Sequence, residues 1–193
     1  MDIQQTKIWD IFIRIFHWSL LATFAITYLT EDDFPVLHTY AGYTMMALIA
    51  LRLIWGFIGS RHARFSSFIV KPSAVIEYMK EVVQFRAKRY LGHNPAGGVM
   101  VVALLISLSM TLLFGLLTYG AAEFSGPLAS LAGGVNDTVA NIFKELHEFF
   151  ANFTVLLVAL HVFGVAIASF QHGENLVRSM LTGYKRINQD DKH

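Results

Sequence analysis

The sequence predicts an all-α fold, an integral membrane four-helix bundle with both termini in the cytoplasm. Three observations carry that prediction. Of 193 residues 54% are hydrophobic and 15% charged, with a mean hydropathy of +0.48, too apolar for an ordinary soluble domain of this length. Four apolar stretches, near residues 11–29, 37–58, 97–118 and 149–170, each reach the about 20 residues a helix needs to cross about 30 Å of hydrocarbon. Lysine and arginine, finally, collect in alternate connections, as the positive-inside rule requires.

The first stretch ends in Glu31, Asp32 and Asp33 with no small-residue cleavage pattern, so it reads as a retained transmembrane helix. The connection after it is acidic and lacks a base, which places it outside. Residues 59–96, after the second span, hold Arg61, Arg64, Lys71, Lys80, Arg86, Lys88 and Arg89 against only Glu77 and Glu81. That connection is cytoplasmic. Within it, residues 73–85 set Val75, Ile76, Met79, Val82 and Val83 at helical spacing opposite polar residues, an amphipathic helix for the membrane interface. Residues 119–146 carry Lys144 as their sole base and lie outside, and Asn136 or Asp137 suits the cap of a helix running into the fourth span. Arg178, Lys185, Arg186 and Lys192 return the tail to the cytoplasm. No segment reads as a strand. The chain, residues 1–193, is thus one membrane domain, its first partner is lipid, and a net charge of +1 gives no reason to expect nucleic acid.

There is no cysteine, which removes disulfides, iron–sulfur clusters, thiolate-ligated or covalently attached haem, and cysteine zinc sites. Eight histidines remain as strong ligands. His147 and His161 bound the apolar run LHEFFANFTVLLVALH and lie fourteen residues apart. That spacing is about 40° short of four turns, so both leave one helix face, about 21 Å apart along the axis. With the helix directions above, His38 shares the outer depth of His147, and His17 the inner depth of His161. Ionisable groups at membrane depth read as functional. Two imidazoles from facing helices are what a six-coordinate b haem requires, whereas zinc wants three or four converging ligands. A histidine proton relay is the remaining alternative.

Arg14 and Arg52 sit near cytoplasmic helix ends, where they either snorkel or meet a haem propionate or a quinone head group. His62, His93, His172 and His193 read as solvated or interfacial. The methionines of the spans read as packing. Trp9, Trp18 and Trp55 fall toward the cytoplasmic interface.

The segments RIFHW at 14–18, LHTYAG at 37–42, LRLIWGFIGSRHARF at 51–65, LGHNPAGG at 91–98, LHEFFANFTVLLVALH at 146–161 and the closing HGENLVRSMLTGYKR resemble the bacterial cytochrome b561 family. That family groups the cytochrome b subunits of nickel–iron hydrogenases with small stand-alone di-haem cytochromes; this chain is shorter than the hydrogenase subunits and shows no fifth span. The resemblance implies that His17, His38, His147 and His161 ligate two b haems. It also implies electron exchange with the quinone pool and with a periplasmic c-type cytochrome or oxidoreductase subunit, at the bacterial inner membrane. The reading that follows is a di-haem cytochrome relaying electrons across that membrane. Its alternatives are a stand-alone superoxide:quinone oxidoreductase and a haem-free metal or proton transporter, so whether the chain is itself an enzyme stays open.

Overall fold

The computed structural model describes residues 5–31 and 33–187; Asp32, Lys192 and His193 lie outside them. Its elements are β1 (Gln5–Lys7), α1 (Ile11–Leu29), α2 (Pro35–Ile58), α3 (Pro72–Val83), α4 (Pro95–Glu123), α5 (Ala129–Ala132), α6 (Asp137–His172), α7 (Leu176–Thr182) and β2 (Tyr184–Arg186). Four of them, α1, α2, α4 and α6, are long and apolar enough to cross a membrane. The chain is a helical bundle with a small cap.

Side-chain caps decide where the helices begin. Asp10 accepts from the Ile13 N–H at 2.8 Å to start α1, and Asn94 accepts from the Gly97 N–H at 2.7 Å to start α4. Asn136 does the same for α6, from the Val139 N–H at 3.0 Å, with Asp137 in the first turn. Proline opens α2, α3 and α4, where its missing N–H costs nothing. At the far ends Gly173 and Gly183 take φ of 59° and 88°, the left-handed backbone that closes α6 and α7. These caps carry α4 and α6 past the apolar runs at 97–118 and 149–170, so α6 spans 36 residues, about 54 Å.

The helices pack as two pairs. The α4–α6 contact is the most extensive, α1 lies along α2, and the pairs meet where α2 touches α4. Met45 and Ile49 of α2 and Leu108 of α4 form that junction, with Leu20, Phe24 and Leu112 around it. Thr154, fully buried at the α4–α6 crossing, gives its proton to Phe150 O at 2.8 Å; the Ser107 hydroxyl therefore donates to Thr154, 2.7 Å away. Apolar side chains such as Leu51, Phe57, Val162, Phe163 and Phe170 face outward, as lipid-facing residues do.

The two chain ends form the cap. β1 and β2 pair antiparallel, Gln5 opposite Arg186 and Lys7 opposite Tyr184. Sequence patterning predicts no strand, and three residues are too few to show a period of two. Ile8, Trp9, Ile13 and Ala63 make a second core beneath the strands, joined by Trp55, Leu91 and Met180. Asp10 holds it together by accepting from Ser60 Oγ at 2.5 Å and Trp55 Nε1 at 3.1 Å. Burial would raise the Asp10 pKa, but the bonds from Ser60, Ile13 and Trp55 outweigh it and leave the carboxyl below its usual range. α3 packs through Tyr78, which is buried, and leaves Ile76, Met79 and Val83 exposed along one stripe.

Thr154→Val is expected to lower bundle stability by about 0.6–1.7 kcal/mol, the range for an interhelical hydroxyl bond in a membrane protein. Thermal unfolding in detergent measures it, and an unchanged midpoint would mean that this bond adds nothing to the α4–α6 crossing.

Candidate cofactor site

α6 packs on α4, so the face it turns toward α1 and α2 is open; Thr154 and Leu157 alone of its described residues are buried. Both predicted histidine pairs stand in that opening.

At the end carrying the α1–α2 connection, His38 in the first turn of α2 faces His147 of α6, ring centroids 6.1 Å apart and planes at 77°. His38 Nδ1 is 2.8 Å from Thr27 O, and His147 Nδ1 is 2.8 Å from Thr111 O. A carbonyl only accepts, so each Nδ1 carries the proton and each Nε2 keeps a free lone pair. Metal-bound histidines are held in this way, their other nitrogen donating to a backbone carbonyl. The His147 ring also lies close against α4: a Cβ at Gly115 would stand 2.9 Å from its Cε1 and Nδ1. Glycine is needed there for close approach, not for an unusual turn.

Toward the end carrying the termini, His17 of α1 faces His161 of α6, centroids 6.4 Å apart and planes at 52°. His17 Nδ1 is buried and has no partner, and the ring meets the edge of Trp18 at 5.1 Å.

Two imidazoles on opposite sides of one iron, each bonded at about 2.0 Å with its centroid roughly 1.2 Å behind the nitrogen, have centroids about 6.4 Å apart. The observed 6.1 and 6.4 Å fit. Among the described residues no group of three or more His, Asp or Glu gathers to hold a bare metal ion. Each level therefore suits a cofactor that brings its own equatorial ligands.

The flanking cations differ from one another. Arg14 donates to Leu181 O near the C-terminal end of α7, and its Nε is buried without a partner. Arg52 is only 3% exposed, gives one bond to Ala63 O at 3.1 Å, and lies 5.0 Å over the Phe65 ring. Snorkelling does not describe it.

His93 is the residue that sequence reasoning placed wrongly. Expected to be solvated or interfacial, it stands between Trp9 and Phe68, centroids 4.8 and 4.7 Å away, with Nδ1 buried and unpartnered. Burial first, then the charges of Arg52 and Lys185, push its pKa down to about 3, so it is neutral in the cell. His62, beside Gly92, is lowered by burial and by Arg61. No local signal could have found it, because Trp9 and Phe68 come from segments that only the folded cap brings to His93.

Comparison with known proteins gives the family. Residues 8–183 match the family described as prokaryotic cytochrome b561. A probable Ni/Fe-hydrogenase B-type cytochrome subunit from Rhodobacter capsulatus is 25% identical over 166 residues, covering 79% of this chain and 63% of that protein. The chain thus spans less than two thirds of that relative's length. No solved structure matches. A match over nearly the whole chain, on a bundle with four helices long and apolar enough to cross a membrane, makes this protein a multi-pass membrane member of the prokaryotic cytochrome b561 family.

Proposed function

We propose that the protein carries two b haems, an outer one held by His38 and His147 and an inner one held by His17 and His161. Through them it relays electrons across the inner membrane between the quinone pool and a periplasmic redox partner. The observation that carries this reading is the pair of facing imidazoles, at one-iron separation, repeated at two depths of α6.

Bound haem supplies the one-electron chemistry; the chain supplies ligation, burial and position. Thr27 O and Thr111 O fix the tautomer and direction of the outer imidazoles. The junction of Met45, Ile49, Leu108, Leu20 and Phe24 sets apolar side chains between the two levels. Arg14 and Arg52 are the cations offered to a propionate or a quinone head group at the inner level. The charge pattern puts both termini in the cytoplasm and α3, with its exposed Ile76, Met79 and Val83, in the inner interface.

The name of the hydrogenase relative supports an oxidoreductase subunit as partner, and a c-type cytochrome is the other candidate of the same kind. The outer end favours a cationic partner, because Glu31, Asp33, Asp137, Glu145 and Glu148 lie there and Lys144 sits 3.6 Å from Glu148. The same acids disfavour superoxide, an anion, as substrate.

Purified wild-type protein is expected to show about two low-spin b haems per chain in its reduced-minus-oxidised spectrum. His38→Ala and His161→Ala should each lose a different one. Loss of the same single haem in both variants would contradict the paired assignment. Gly115→Val is expected to push the His147 ring aside and reproduce the His38→Ala spectrum, leaving the inner haem in place. A wild-type spectrum in Gly115→Val would show that the ring does not need that clearance.

A further inference from the structure

Arg52 is a guanidinium buried in the bundle with no carboxylate bonded to it among the described residues. One amino nitrogen donates to Ala63 O at 3.1 Å, and the other, Nη1, is buried with no partner. Asp10, the acid whose charge reaches it, already accepts from the Ile13 N–H, Trp55 and Ser60. The Phe65 ring under Arg52 gives a cation–π contact and leaves the charge unbalanced. An uncompensated charge at membrane depth is costly, so an anion other than the described carboxylates is the natural counterpart.

A chain of rings leads from Arg52 to a second orphan. Phe65 meets Phe68 edge-on at 5.8 Å, and Phe68 lies against His93, whose Nδ1 is buried and unpartnered. His93 is within electrostatic reach of Arg52 and of His161, the inner ligand on α6. Arg52 lies fourteen residues beyond His38 on α2, the spacing that separates His161 from His147 on α6, so it stands on the His38 face of α2 at the inner depth.

Resting on the two-haem reading, we propose that Arg52 and His93 form the receiving pocket for a propionate carboxylate of the inner haem. A carboxylate offers two acceptor oxygens and one negative charge, which answers both nitrogens and the guanidinium together. A quinone carbonyl, being neutral, would satisfy the hydrogen bonds and leave the charge of Arg52 unbalanced. Neutralising the propionate also favours the reduced haem, since the added electron then meets less negative charge.

Redox titration of the purified full chain tests this, with His161→Ala identifying the inner wave. Arg52→Gln and His93→Leu are each expected to shift the inner haem's oxidised-to-reduced ratio at fixed potential at least tenfold toward the oxidised form, about 59 mV for one electron. The outer haem should not move, and Arg52→Lys and His93→Gln should recover most of the shift. If Arg52→Gln fails to accumulate, His93→Leu and the propionate carboxylate bands of its redox-difference infrared spectrum carry the test. An unmoved inner potential with a raised KM for a soluble quinol would overturn the proposal and give the pocket to a quinone. An unmoved potential and unmoved KM would leave the pair a packing feature. A His161→Ala protein that keeps both haems would overturn the ligand assignment itself, a different failure from the other two.

Discussion

The space between two tightly packed helix pairs is the constraint on which this structure turns. α4 and α6 pack closely enough for a Ser–Thr bond to form at their crossing, and α1 lies along α2. Between the pairs the backbones stay apart, and imidazoles reach across that distance instead. The spacing is fixed in the middle by Met45, Ile49 and Leu108 and at one end by the cap. Moving either anchor changes both centroid separations, because α6 carries one imidazole of each pair. The cofactor level is therefore a property of the whole bundle and not of any single histidine.

The cap does more than close the chain. β1–β2 pairing, the bond from Arg14 to Leu181 O, and the pairing of Glu174 with Arg89 and Lys185 tie both chain ends to the segment before α4. Those ties hold the foot of α1, and with it the depth of His17. They also bury Arg52 and His93 among aromatic rings, where Arg52 Nη1 and His93 Nδ1 each lack a partner among the described residues.

Much of this was legible in the sequence, and for identifiable reasons. Length and apolarity mark four spans, and a spacing of fourteen residues puts His147 and His161 on one face whatever their neighbours do. The pairing of His17 with His161 and His38 with His147 followed from depth alone, and the structure brings those rings together. What was not legible depends on contacts between distant segments. Nothing near His93 announces that Trp9, more than eighty residues earlier, will cover it. Arg52 resembles any snorkelling cation until the 59–68 loop folds over it. The start of α6 was legible because Asn136 reads as a cap, whereas Asn94 caps α4 just before the apolar run that hydropathy detects and went unread.

The central claim is that one iron lies between each imidazole pair. Iron anomalous diffraction from crystals of the purified protein measures that directly. The account predicts two iron positions per chain about 21 Å apart along α6, one between His38 and His147 and the other between His17 and His161. A single iron, or irons coordinated by any other residues, would contradict it.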